Sequence, residues 1–189
     1  MARESRRRLL ADVRGRVLEL GCGDGRAFEH YGPRVERVLA VEPDPVAREA
    51  ATQRARDAAV PIEVVDSGAE DLPAGNGEFD AAILVWVLCS VPDPAAALRE
   101  LRRVLTPGGE LRFYEHVRSR NLLFRGLQRA GDALFWTRAL GGCQTTRDTV
   151  AAIAAAGFEL AEVEGGFYSS SLLTITSAPY VLGIARSPS

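Results

Sequence analysis

A glycine-rich turn, Gly21-Cys22-Gly23-Asp24-Gly25, follows an apolar run (Val17, Leu18, Leu20) and precedes a stretch able to start a helix; no other feature constrains the fold as strongly. A strand ending in such a turn brings bare backbone to the edge of a sheet, where glycines let a ligand approach closely. The spacing is G-x-G-x-G, and Arg26 takes the position that would complete the dinucleotide pattern G-x-G-x-x-G. A long side chain there crowds a pyrophosphate, which disfavours NAD and FAD. About twenty residues on, Val38-Leu39-Ala40-Val41 ends in Glu42, where a strand-end carboxylate can hydrogen-bond both hydroxyls of a ribose. An adenosine cofactor with no phosphate requirement satisfies both features.

Strand-like runs at Arg16 to Leu20, Val35 to Val41, Ile62 to Val65, Phe79 to Val85 and Glu110 to Tyr114 alternate with helix-like segments, notably Pro45 to Ala59 and Pro94 to Leu105. That alternation predicts an α/β fold, a parallel sheet with helices on both faces and ligands at the carboxyl ends of the strands. Asp44-Pro45 and Asp93-Pro94 each pair an N-cap with a proline at the first helical position. Thr145 with Asp148 has the spacing of a capping box for a helix through Ala155 that stops at Gly157. Phe158 to Val163 and Ala178 to Ala185 read as two more strands, with Gly165 to Ser177 as a loop. The long connection Val117 to Gly142 reads as a helical lid over the substrate.

A chain of 189 residues fits one domain, and 47% hydrophobic with 25% charged residues suggests neither disorder nor a coiled coil. No apolar run approaches the ~20 residues that span a bilayer, and Arg3, Arg6, Arg7 and Arg8 are not followed by a signal-peptide segment, so a cytoplasmic protein is expected. With a net charge of −2 and scattered arginines, nucleic acid is not an expected partner. All 23 basic residues are Arg, which removes Schiff-base chemistry, and the Ala- and Arg-rich bias suggests a bacterial chain. Cys22, Cys89 and Cys143 are widely separated and lack metal-ligand spacing, so they read as reduced thiols, with neither a disulfide framework nor a zinc site.

Glu19-Leu20-Gly21-Cys22-Gly23-Asp24-Gly25 with Val41-Glu42-Pro43-Asp44 resembles the first two motifs of class I S-adenosylmethionine-dependent methyltransferases. Phe79 to Leu84, Val87 to Asp93 and Leu101 to Gly109 resemble the family's fourth- and fifth-strand signatures, in order and spacing. The resemblance implies a Rossmann-like class I methyltransferase fold, with a seven-stranded, mostly parallel sheet whose last strand is antiparallel, and S-adenosyl-L-methionine as cofactor. It also implies that Gly21, Cys22 and Gly23 offer backbone N–H groups and the dipole of the next helix to the methionine carboxylate. Glu19 would engage the cofactor's amino group and Glu42 its ribose, while Val87 and Leu88 would border it beside Trp86. Ser67 to Pro73 resembles the family's G-D-A-E-D-L-P. Gly68 stands where many members place an Asp for the adenine amino group; Ala69 N–H can still serve the ring, and Asp66 or Glu70 can substitute for the missing carboxylate.

Val87 to Val91, Glu115-His116-Val117, Gly142 to Asp148 and Ala178 to Ala185 resemble the thiol S-methyltransferase branch of that family. This implies a small-molecule acceptor, a lipophilic thiol, held in an apolar pocket formed by the lid's Leu, Phe and Trp side chains. An amine, phenol or quinone-like acceptor is the alternative, and a non-catalytic cofactor-binding protein a third reading. His116 is either the base that takes the acceptor's proton or a polar strand-end residue. Cys89 reads as packing, His30 as structural, and Arg147 as a residue that holds a carboxylate or orients the lid.

Overall fold

In the computed structural model of the chain, residues 2–136, 142–168, 175 and 178–189 are described. Seven strands form one sheet: β1 (Gly15–Leu20), β2 (Val35–Val41), β3 (Ile62–Val65), β4 (Phe79–Val85), β5 (Leu105–His116), β6 (Glu159–Phe167) and β7 (Pro179–Arg186). Their order is β3-β2-β1-β4-β5-β7-β6. Strands β1 to β5 run parallel, and β7 is antiparallel to both β5 and β6. Winding outward from β1 to β3 and then returning to β4 puts the reversal of strand order between β1 and β4. Ligands of such sheets bind at that point.

Helices α1 (Ala2–Leu10), α2 (Pro45–Ala55), α3 (Pro94–Val104), α4 (Leu122–Gly131) and α5 (Thr149–Ala155) surround the sheet. The Asp44 carboxylate accepts from Val46 and Ala47 N–H, and Asp93 from Ala95 and Ala96 N–H, so both predicted caps form. In α3, Ala97, Leu98, Leu101 and Val104 are buried, a stripe at three- and four-residue spacing that packs with Ile153 of α5 against Leu18, Leu39 and Leu84. Leu9 and Leu10 of α1 and Ala51 of α2 cover the opposite face, against Val17, Val38, Ala40 and Ile83. The α/β expectation of helices on both faces is met. No helix among the described residues is long and apolar enough to cross a membrane.

Several boundaries depart from the sequence reading. Helix α1 was not anticipated, because its arginines mask the short apolar edge of Leu9 and Leu10. Thr145 does not cap α5; its hydroxyl donates to Asp132, and Asp148 is the N-cap, accepting from Ala151 N–H. Gly165 to Phe167 belong to β6, not to a loop, while 169–174 and 176–177 lie outside the described residues. In the connection read as a lid, α4 is followed by a π-helical turn over Asp132–Trp136, and 137–141 lie outside the described residues. Leu122, Leu123, Leu127 and Leu134 face solvent at 58–85% exposure, so these leucines do not line a pocket. The buried polar residue of α4 is Gln128, whose amide nitrogen donates to Val117 and Thr145 carbonyls while its oxygen accepts from Ser119 N–H.

Candidate active site

Gly21 closes β1 at φ 64°, and a Cβ there would lie 2.8 Å from Val87 Cγ2 across the β1–β4 reversal. Gly23 has φ 56° and would meet nothing within 4 Å, so its backbone faces open space. The N–H groups of Gly21, Cys22 and Gly23 are already bonded: Gly21 and Cys22 donate to the Val41 carbonyl at 2.8 and 3.1 Å, and Gly23 donates to Glu42 Oε2 at 2.8 Å. Nor does a full helix follow; a single 3-10 turn spans Phe28–His30. The expectation of an amide and helix-dipole cradle from these three residues is therefore corrected, since Val41 of β2 and Glu42 just beyond it take those donors. Glu42 is the hub of this edge. Its second oxygen accepts from Asp44 N–H at 3.0 Å, and each carboxylate oxygen keeps a lone pair for a further donor.

Glu19 and Cys22 point into the layer beneath. The Tyr31 hydroxyl donates to Glu19 Oε2 at 2.6 Å, and burial pushes the Glu19 carboxyl up to about 7 against the opposing pull of Tyr31 and Arg6. The Cys22 thiol is pushed up as well, by burial and by Glu19 and Glu42, and packs with Phe28 and Tyr31. Because the folded value of Glu19 lies above the 4.5 of a free Glu, its contribution to stability is complete below about pH 4.5 and lost as pH rises through about 7. Tyr31→Phe removes a bond to the charged form. It is expected to cost about 1–3 kcal/mol at pH 8 and clearly less at pH 5.5 in urea unfolding; equal losses at the two pH values would contradict the assignment.

After β3, Gly68, Ala69 and Glu70 form a loop at the same sheet edge. Ala69 is buried in the core, and Glu70 accepts from Asp93 N–H at 3.3 Å at the start of α3. Asp66 pairs with Arg48 at 3.0 Å, and Arg48 also donates to the Glu42 and Pro43 carbonyls. Both carboxylates considered for the missing Asp thus have structural partners.

The ends of β4 and β5 carry the densest chemistry. Trp86 sits at φ 60°, a conformation strained for a bulky residue, and its N–H donates to the Tyr114 carbonyl. Glu115, fully buried, accepts from Val87, Leu88 and Cys89 N–H at 2.7, 3.0 and 3.2 Å and so ties the β4 loop to β5. Val87 reaches Gly21, while Leu88 is a core residue. The His116 ring stacks on Trp86, with centroids 5.2 Å apart and 5° between planes, and the Arg6 guanidinium lies 5.3 Å from the Trp86 ring centroid. Burial lowers the Arg6 pKa.

His116 Nδ1 lies 3.8 Å from Cys89 Sγ and 3.6 Å from Cys143 Sγ. Hydrogen bonding from Cys89, reinforced by His116, pulls the Cys143 thiol down, while the same bond and burial push Cys89 up. Of the two thiols, Cys143 is the more readily ionised. Asp132 holds the Cys143 loop in place: its two oxygens accept from the N–H and hydroxyl groups of Thr145 and Thr146. Arg147 donates to the Leu88 and Val91 carbonyls, so it fixes the β4 loop. The sequence reading missed Cys143, Glu115 and Arg6 as site residues; for Glu115 the signal was an acid inside an apolar strand.

An adenosyl group suits this edge: an open backbone at Gly23 lies beside a strand-end carboxylate with spare acceptor capacity. Residues 18–113 match the family model described as a methyltransferase domain. The chain is 32% identical over 180 residues to a thiol S-methyltransferase of Rattus norvegicus, covering 89% of this chain and 69% of that protein. It is 35% identical over 97 residues to a ubiquinone biosynthesis O-methyltransferase of Xanthomonas oryzae pv. oryzae (strain PXO99A), covering 51% and 41%. The crystal structure of a putative methyltransferase from Bacillus halodurans C-125 superposes with a TM-score of 0.81 at 17% identity over 99% of both chains, a likeness of fold. The chain belongs to the methyltransferase-domain family and is an S-adenosylmethionine-dependent methyltransferase with the class I fold.

Proposed function

We propose that this enzyme methylates the sulfur of a small lipophilic thiol. The observation that carries this reading is the extent of the likeness to a thiol S-methyltransferase, 89% of the chain, against 51% for the O-methyltransferase. The chemistry of the site supports it. S-adenosylmethionine supplies an electrophilic methyl group on a sulfonium, and the chain's task is to hold an attacking atom in line, out of water. Glu42 takes the ribose hydroxyls, Val87 and Gly21 set the floor of the crevice, and Arg6, over the Trp86 ring, offers a cation to the cofactor's carboxylate. A thiol needs little help, because its reference pKa of ~8.5 leaves a few per cent thiolate at neutral pH. In this reading the His116 imidazole accepts the remaining proton.

The test is a pH series of turnover for the wild type and His116→Ala with alkyl-thiol and phenol acceptors. With a thiol, the variant is expected to be about 10- to 100-fold slow near pH 7 and to recover toward alkaline pH, where thiolate forms unaided. Robust phenol or amine methylation, with no thiol turnover at any pH, would reject the thiol in favour of the alternative acceptors.

A further inference from the structure

Cys89, His116 and Cys143 come from three separate parts of the chain, the loop after β4, the last residue of β5 and the segment ahead of α5, yet their ligand atoms all lie within 4.8 Å of one another. Tetrahedral zinc, with Zn–S of about 2.3 Å and Zn–N of about 2.0–2.1 Å, places sulfur and nitrogen ligands about 3.5 Å apart. The observed separations of 3.6 and 3.8 Å from His116 Nδ1 to the two sulfurs are close to that edge. We propose that these three residues form a Cys2His site for a thiophilic metal ion of the zinc class, with the fourth coordination position open to a thiol sulfur. The wide spacing of the cysteines along the chain, which argued against a zinc site, is bridged by the fold.

The site is built rather than accidental. Cys89 is held from both sides: its N–H donates to Glu115, and its carbonyl accepts from Gln144 N–H at 2.7 Å. Cys143 is delivered by Gly142 at φ 91°, where a Cβ would lie 3.2 Å from the Ser90 carbonyl, and is locked downstream by Asp132 through Thr145 and Thr146. His116 is oriented by its stack on Trp86. Three protein ligands with one vacancy is the arrangement of catalytic rather than structural zinc, and two thiolates with a neutral imidazole balance a divalent charge. The cysteines are buried and His116 only partly so, which leaves the imidazole side as the approach to the vacancy. The identity of the fourth ligand rests on the thiol reading; metal binding itself does not. With the metal bound, His116 is a ligand rather than a base and the metal takes over the activation of the thiol: an entering thiol breaks its S–H bond, releases the proton to solvent and donates a sulfur lone pair to the metal.

The experiment uses the full chain, reduced and stripped of metal, titrated with Zn2+ and with Co2+ as a spectroscopic stand-in. One equivalent of either ion should bind, Co2+ should develop thiolate charge-transfer and tetrahedral d–d bands, and Zn2+ should protect Cys89 and Cys143 from iodoacetamide. Cys89→Ser, Cys143→Ser and His116→Ala should each weaken binding by roughly tenfold or more, with Cys22→Ser unchanged. Absence of binding at micromolar metal, or alkylation of both thiols unaffected by Zn2+, would overturn the site, and the alkylation assay on wild type does so even where a variant fails to fold. An alkyl thiol added without S-adenosylmethionine should shift the Co2+ bands; bands unmoved by millimolar thiol would overturn the open position. Intact metal binding in an enzyme that methylates only phenols or amines would defeat the thiol reading and leave the metal site standing.

Discussion

Replacing Glu115 by Ala is expected to destabilise the protein by about 3–5 kcal/mol and to abolish methyl transfer, because three N–H groups, those of Val87, Leu88 and Cys89, lose their buried acceptor together. An unsatisfied buried donor costs about 1–3 kcal/mol, and the cavity admits water to only part of that deficit. The loop so released carries Val87 against Gly21 and Cys89 toward His116, so activity falls further than stability alone accounts for. Burial pushes the Glu115 carboxyl up to about 7 despite the three N–H donors. Its folded value exceeds the 4.5 of a free Glu, so its contribution is complete below about pH 4.5 and declines as pH rises through about 7. Glu115→Gln, which cannot titrate, should flatten that part of the pH profile. Urea unfolding of both variants from pH 4.5 to 8 is the measurement, and an Ala variant within about 1 kcal/mol of wild type would show that the β4 loop is anchored by other bonds.

Glu42→Ala is expected to weaken S-adenosylmethionine binding by roughly 1.5–3 kcal/mol, or about 10- to 150-fold, since hydrogen bonds to a charged group are lost. Two effects combine: the ribose loses its acceptor, and the Gly23 and Asp44 N–H groups, now bound to the two carboxylate oxygens, are released. Glu42→Gln keeps one carbonyl acceptor and should lie between. Calorimetric titration with S-adenosylmethionine and with its demethylated product separates the cases. Affinity unchanged in the Ala variant would move the ribose site elsewhere, whereas loss of affinity together with a large drop in melting temperature would point to collapse of the β1 turn.

Local chemistry determined much of this protein. The ranges of β2, β3 and β4 followed from apolar runs bounded by turn residues, and α2 and α3 began where an Asp-Pro pair satisfied their first N–H groups. The family was legible because its motifs are backbone requirements: a glycine turn and a strand-end acid must lie at fixed sequence spacing to meet one ligand. Tertiary structure decided what spacing cannot encode. The amides of Gly21, Cys22 and Gly23 looked free in the sequence, but the end of the neighbouring strand β2 and the residue after it supply their acceptors, Val41 and Glu42. Glu19 gained Tyr31, Glu115 gained three loop amides, and Thr145 gained Asp132, because a buried polar group takes whichever partner the packing brings within reach. Cys89, His116 and Cys143 converge only because β4 and β5 are neighbours in the sheet and the loop carrying Cys143 packs against the β4 loop, a proximity set by strand order, which no separation along the chain records.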